Sequence, residues 1–205
     1  MGSSVSEEAK KGALEWDGMY TDGKQPFGPS TFPKIDELLK RHVPEGGSVL
    51  ELGSGYGRDA IFLAKEHKCT VIAVEPGEEG TKTLTKAASE GGLPITAVCA
   101  FAEAYDFAPM KGKCDMVLMD SVLAFVDAGV RLAVVKSSLE SLKSGGHLVV
   151  IGWPNEDDIN WVGKLVNDAG VGATVIMDAE ACATKASIGG EEMEMTWHVT
   201  IAQAA

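Results

Sequence analysis

The chain is poor in cysteine and has no cluster of basic residues, and each shortage removes a class of function. Its four cysteines, Cys69, Cys99, Cys114 and Cys182, form no CxxC pair, and His42, His67, His147 and His198 stand near none of them in ligand spacing. No metal site is therefore expected. Cys69, Cys99 and Cys114 fall at or beside expected strands and read as small core residues, while Cys182 reads as a loop thiol. Lys and Arg number 18 against 30 Asp and Glu, a net charge of −12, with no basic stripe to follow phosphates. That disfavours nucleic acid and leaves a small molecule or a protein as partner. No apolar run approaches the roughly 18 residues of a membrane span, and there is neither an internal repeat nor a low-complexity tract. The start, Met1 to Glu8, lacks the basic region and apolar core of a signal peptide. The expectation is a cytoplasmic protein with free thiols and disordered first residues.

What the chain does have is Glu51-Leu52-Gly53-Ser54-Gly55-Tyr56-Gly57-Arg58, directly after the apolar Val49-Leu50. Glycine at every second position marks a tight strand-to-helix turn whose backbone a ligand can approach. The spacing is GxGxG; in the dinucleotide fingerprint a glycine would stand at Arg58. A helix-like stretch, Arg58 to His67, and the β-branched run Thr70 to Val74 follow, closing on Glu75. An acid about 20 residues past a glycine turn, at the end of the next strand, is placed to reach a ribose. Glu75 is the candidate ribose ligand.

With 45% hydrophobic residues and no linker, the rest reads as one compact domain of alternating strands and helices. Helices are expected at 31–42, capped by Ser30 or Thr31, at 78–90, at 128–143 ended by Gly145-Gly146, and at 156–169. Strands are expected at 48–52, 70–74, 94–99, 115–120, 147–152, 173–177 and 194–202. In the last, Met195, Trp197, Val199 and Ile201 alternate with polar residues, which suggests an antiparallel, half-exposed strand.

This order resembles the class I S-adenosylmethionine-dependent methyltransferases: an α/β, Rossmann-like, doubly wound seven-stranded sheet, mostly parallel with the last strand antiparallel, in three α/β/α layers. The segment Trp16-Asp17-Gly18-Met19-Tyr20 to Pro26-Phe27-Gly28, with Gly57-Arg58-Asp59-Ala60, is similar to the thiopurine and tellurite-resistance type small-molecule methyltransferases. The resemblance implies a leader over 1–30 that folds across the cofactor and a single methyltransferase domain over 31–205. It implies S-adenosylmethionine as cofactor, with Glu51 and Gly53 at its methionine end and Gly53 and Gly55 giving backbone contacts. Glu75 would take both ribose hydroxyls, and Trp16 and Tyr20 would cap the site. The Asp that the family places at the adenine is missing from Ala100-Phe101-Ala102-Glu103. Phe101 would stack on the ring and the Ala102 amide bond it, or Phe101 is core.

Asp120 ends the fourth strand, at the carboxyl edge where ligands of open α/β sheets collect. It would bond the cofactor's amino group or face the acceptor, and Trp153-Pro154-Asn155 would wall the acceptor pocket or plug a loop. Arg58 would steer an anionic acceptor or only form a salt bridge. Catalytic candidates are thus Asp120, Arg58 and Tyr20. Methyl transfer from a sulfonium is an in-line displacement that asks mainly for alignment in a dry pocket. With no histidine in a base-like motif, a soft nucleophile, a thiol, selenium or tellurium species, fits best. An oxygen or nitrogen acceptor, or a binding module without catalysis, stays open, as does monomer or homodimer.

Overall fold

A computed structural model of the chain describes residues 5–28, 33–152, 161–188 and 191–205, with 33, 178–188 and 191–195 described as backbone only. Helix α1, Glu7–Tyr20, starts at Ser6, whose hydroxyl accepts the Ala9 N–H at 3.2 Å, and carries Glu7 and Glu8 in its first turn. Both features favour a helix N-terminus. Helix α2, Pro33–His42, leads into β1, Ser48–Leu52. Then come α3, Arg58–Glu66, β2, Thr70–Glu75, α4, Glu78–Gly91, β3, Ile95–Cys99, and β4, Cys114–Asp120. Helix α5, Arg131–Ser141, β5, Leu142–Ile151, α6, Trp161–Asp168, β6, Thr174–Ile188, and β7, Glu191–Gln203, complete the order.

The sheet runs β3-β2-β1-β4-β5-β7-β6, with β7 antiparallel to both its neighbours and the first five strands parallel. This is the expected seven-stranded, doubly wound order. Successive residues of one strand face opposite layers. Val49, Met116 and Leu118 pack with Ile35, Leu39, Leu63 and Leu84 of α2, α3 and α4, whereas Leu50, Val117 and Met119 pack with Val134, Leu139, Val162 and Val166 of α5 and α6. Each fully buried side chain of this size contributes about 1.5–3 kcal/mol, so the central strands read as continuous apolar runs.

Four expectations are corrected. The helix before β5 ends at Ser141, and Gly145-Gly146 lie inside the strand: β5 pairs with β4 through Cys114–Leu142 and then Met116–His147, and a Cβ on Gly146 would lie 3.0 Å from the Cys114 carbonyl oxygen. The two glycines serve a bulge where backbones approach closely. Strand β6 runs to Ile188, and Cys182 pairs with Trp197 in a β6–β7 ladder, so it is a strand residue. Strand β7 is antiparallel as expected, but from Val199 to Ala202 it is buried on both faces, because β5 and β6 flank it. Cys99 is exposed, since β3 is the sheet's edge. The Ser30 and Thr31 caps, Trp153-Pro154-Asn155 and the first four residues lie outside the described residues. No described helix is long and apolar enough to cross a membrane.

Candidate functional site

Parallel register brings the ends of β1, β2 and β4 to one edge, with Leu52 beside Val74 and Met119. There the chain leaves β1 through the glycine turn. Gly53, Gly55 and Gly57 have φ of +73°, +55° and +90°, a left-handed conformation that only glycine adopts freely, which explains the alternate-residue spacing. Backbone bonds lock the turn: Gly53 N–H and Ser54 N–H donate to the Val74 carbonyl at 2.7 and 3.1 Å, and Gly57 N–H to Ser54 O at 2.8 Å.

Glu75 stands 20 residues past Gly55 and is 6% exposed. Its Oε2 accepts the Gly55 N–H at 2.8 Å and its Oε1 the Gly77 N–H at 3.0 Å. Burial raises its pKa, and the two amides offset part of that rise. A carboxylate has about four lone-pair sites, so both oxygens keep capacity for a ligand's hydroxyls.

The leader covers this edge. Tyr20, at the end of α1, is buried with its hydroxyl 3.0 Å from where a Gly55 Cβ would stand, and its ring meets Tyr56 edge-on at 5.5 Å. Tyr56 donates its hydroxyl proton to Gly28 O at 2.8 Å. Burial first, then the Glu75 carboxylate, pushes the Tyr20 phenol above its ordinary range. Tyr20 is therefore a neutral donor near pH 7 and not a base. Trp16 touches Phe27 at 5.9 Å and Phe125, on the loop after β4, edge-on at 5.8 Å. These three rings line one wall of a cavity of about 720 Å³.

Across from them lies a buried charge cluster. Arg58 at the start of α3 donates from Nε and Nη2 to the two Asp59 oxygens at 3.1 Å each, and from Nη2 to Asp120 Oδ2 at 2.7 Å. Burial alone would lower the guanidinium's pKa, but Asp59 and Asp120 outweigh it and fix the positive charge. Burial, then Asp59, pushes Asp120 up to about 7 despite Arg58. Burial, then Asp59 and Asp120, raises Glu51 well above the carboxylate range. Ser121, next to Asp120, holds φ at +56° and donates to Asp120 Oδ1 at 2.8 Å. A left-handed serine at a strand end is the strain that marks functional edges.

Glu51, Gly53, Gly55, Glu75, Arg58, Asp120, Tyr20, Trp16, Phe101 and Ala102 all line this one cavity. Phe101 and Ala102 sit just past β3, on a 3₁₀ turn over Ala102–Ala104. Arg58 is brought to Asp120 by the β1–β4 pairing, and its guanidinium stands between two carboxylates. Among the described residues no group of three His, Cys, Asp or Glu is disposed to hold a metal, and no described histidine lines the cavity.

Three contributors went unread in the sequence. Asp17 Oδ1 accepts the N–H groups of Glu79 and Gly80 at 2.8 and 3.2 Å, capping α4 from α1 because Gly77 has no side chain to do so. Asp59 completes the Arg58 pair; its adjacency was the only available signal. Arg131, at the start of α5, lines the cavity and donates to Val126 O at 2.8 Å and Ala124 O at 2.6 Å.

The cradle fits an adenosyl sulfonium amino acid. Glu51 Oε2 and Ser54 Oγ are buried on the cavity wall with no hydrogen-bond partner, as groups awaiting a ligand's donor would be. A Cβ on Gly53 would fall 2.4 Å from Val122 Cγ2, leaving the backbone itself as the floor.

Residues 49–146 match a family model described as a methyltransferase domain. The chain is 24% identical over 143 residues to a sarcosine/dimethylglycine N-methyltransferase of Halorhodospira halochloris, covering 69% of this chain and 50% of that protein. It is 27% identical over 136 residues to the protein of the same description from Aphanothece halophytica, covering 64% and 48%. The chain thus spans about half the length of the curated relatives it matches. Among solved structures, Burkholderia thailandensis 1,6-didemethyltoxoflavin-N1-methyltransferase, with S-adenosylhomocysteine bound, has a TM-score of 0.73 at 15% identity, covering 100% of this chain and 93% of that one. A TehB-like S-adenosylmethionine-dependent methyltransferase of Corynebacterium glutamicum ATCC 13032 has 0.65 at 14%, covering 96% and 98%. At these identities the solved structures show a shared fold.

Proposed function

We propose that this chain, which has the class I methyltransferase fold and matches a methyltransferase-domain model over residues 49–146, transfers the methyl group of S-adenosylmethionine to a small-molecule acceptor. The observation that supports this most is the joint one at the glycine turn: Glu75 bonded to Gly55, partnerless Glu51 Oε2 beside it, and α1 closing the cavity above. Glu75 would hold the ribose hydroxyls, Glu51 and the Gly53–Gly55 backbone the methionine end, and Phe101 and Ala102 the adenine. When bound, the cofactor supplies a methyl on a cationic sulfur that leaves as a neutral thioether. Trp16, Phe27 and Phe125 exclude water around the acceptor, and Tyr20 keeps its proton and orients by hydrogen bonding. Asp120, shared with Arg58, faces the same space.

Alignment in a dry pocket carries such a reaction. With no described histidine on the cavity wall, the acceptor of first choice is a soft nucleophile that is ionised, or easily so, near neutral pH: a thiol, selenide or telluride. A second reading, a small amine, is favoured by the two relatives named for sarcosine and dimethylglycine. We place the protein in the cytoplasm, where Cys69, Cys99 and Cys114 would stay the free thiols they are here. The test is S-adenosylhomocysteine release over thiols, metalloid anions, halides, phenols and secondary amines, with calorimetric titration of the cofactor alongside. Turnover on the thiols and chalcogen anions supports the first reading and on the amines the second; tight cofactor binding with no turnover on any of them would identify a binding module instead.

A further inference from the structure

Among the described residues three cations line the cavity: Lys11, Arg58 and Arg131. Lys11 is an exposed side chain 3.8 Å from Glu15, and Arg58 is consumed by Asp59 and Asp120. Arg131 differs from both. Among the described residues it has no carboxylate partner; its contacts are two main-chain carbonyls and the face of Trp161, 4.7 Å from the guanidinium carbon. Asp127, the nearest acid in sequence, turns Oδ1 to the Gly129 N–H at 2.8 Å instead. Arg131 is also the first residue of α5, whose first turn holds no acid and whose Val130 cap offers no side-chain acceptor. The positive end of a helix disfavours a cation by some tenths of a kcal/mol, and among the described residues only two carbonyls and an aromatic face, no acid, stand against that cost.

We propose that Arg131 selects an acceptor bearing a carboxylate. The proposal rests on the methyl-transfer reading above and names the acceptor class for the same cavity. A guanidinium has five donors in a flat fork; two are spent on Val126 O and Ala124 O, and the Trp161 face holds its plane. The remaining donors are already oriented, so little rotamer freedom is lost when a carboxylate docks. The aromatic wall of Trp16, Phe27 and Phe125 then encloses the rest of a small molecule. The steering of an anion that the sequence pointed to at Arg58 falls to Arg131, because Arg58 is neutralised.

The test is calorimetric titration of the full chain, with S-adenosylhomocysteine present, using two matched pairs: thioglycolate against 2-mercaptoacetamide, and sarcosine against sarcosinamide. The carboxylate member of at least one pair should bind tenfold or more tighter. Arg131→Gln should erase that preference by weakening the carboxylate alone, and Arg131→Lys, which keeps the charge but not the fork, should retain part of it. Wherever turnover is seen, Arg131→Lys should raise KM for the carboxylate acceptor with kcat unchanged. No preference in either pair, or an equal loss for acid and amide in Arg131→Lys, overturns the assignment. A carboxylate preference in binding without any S-adenosylhomocysteine release from the cofactor-loaded protein would leave Arg131 in its role and remove the methyltransferase reading.

Discussion

Asp17→Ala tests whether α1 is held on the cavity by one side chain. Asp17 Oδ1 is the cap of α4, accepting two N–H groups at 2.8 and 3.2 Å where the local cap position, Gly77, is bare. A Cβ at Gly77 would come within 2.4 Å of that same oxygen, so the glycine makes room for a cap delivered from another helix. Losing an N-cap costs about 0.5–2 kcal/mol. Because the bond joins α1 to the body, most of that cost falls on the equilibrium between docked and undocked α1, which should shift by roughly 2- to 30-fold, at 1.4 kcal/mol per factor of ten. Amide exchange in α1 should accelerate by that factor, whereas β1, β2 and β4 should keep their protection. S-adenosylhomocysteine affinity should weaken by no more than the same factor, and Asp17→Asn, which keeps an acceptor oxygen, should recover most of the loss. Unchanged exchange in α1, or equal acceleration in the central strands, would refute the latch.

Glu75→Ala should lower S-adenosylmethionine affinity at least tenfold, or about 1.4 kcal/mol, through lost charge-assisted bonds to the ribose; calorimetry checks it, and unchanged binding would remove Glu75 from the site. Gly55→Val should abolish cofactor binding, since φ of +55° strains any β-branched residue and its Cβ would press on the Tyr20 hydroxyl at 3.0 Å; normal binding would break the turn assignment. For pH, Asp120 has its folded pKa raised to about 7 from an ordinary 3.8, so the native state binds the extra proton between those values. Its contribution to stability is then full below pH 4 and lost as pH rises through 7. Relative to Asp120→Asn, the wild type should lose stability from pH 5 to pH 7.5 in denaturant titrations, and parallel pH curves for the two proteins would contradict that sign.

The succession of strands and helices along the chain and the glycine turn were legible because their signals are local. Alternate glycines report three left-handed residues, and an acid closing a β-branched run reports a strand end. Asp17 was not legible, because a cap supplied across 62 residues leaves no pattern in either segment. Arg58 could be placed at the turn but not paired, since Asp120 reaches it only through the β1–β4 register. Gly145-Gly146 resembled a helix stop because glycine serves a C-cap and a bulge equally well. Cys99 looked like core because the sequence does not say which strand is the edge.

The charges of the site explain one another. Glu51, Asp59 and Asp120 surround one guanidinium, so full ionisation would leave two uncompensated negative charges in a buried space. Such groups either hold protons or meet a cation. The raised pKa values of Glu51 and Asp120 are the first solution, and a ligand with a sulfonium and an ammonium group supplies the second. An acceptor with a carboxylate faces the opposite problem, because a protein of net charge −12 repels it. Screening confines that repulsion to about 8 Å at physiological salt, so the nearest unneutralised charge decides. In this cavity that charge is Arg131, held by the Val126 and Ala124 carbonyls, whereas Arg58 is paired with Asp59 and Asp120. One edge of the sheet then has an acidic side for a cationic cofactor and a basic residue for an acceptor's carboxylate, and holding both partners in fixed places is what the alignment of an in-line transfer asks for.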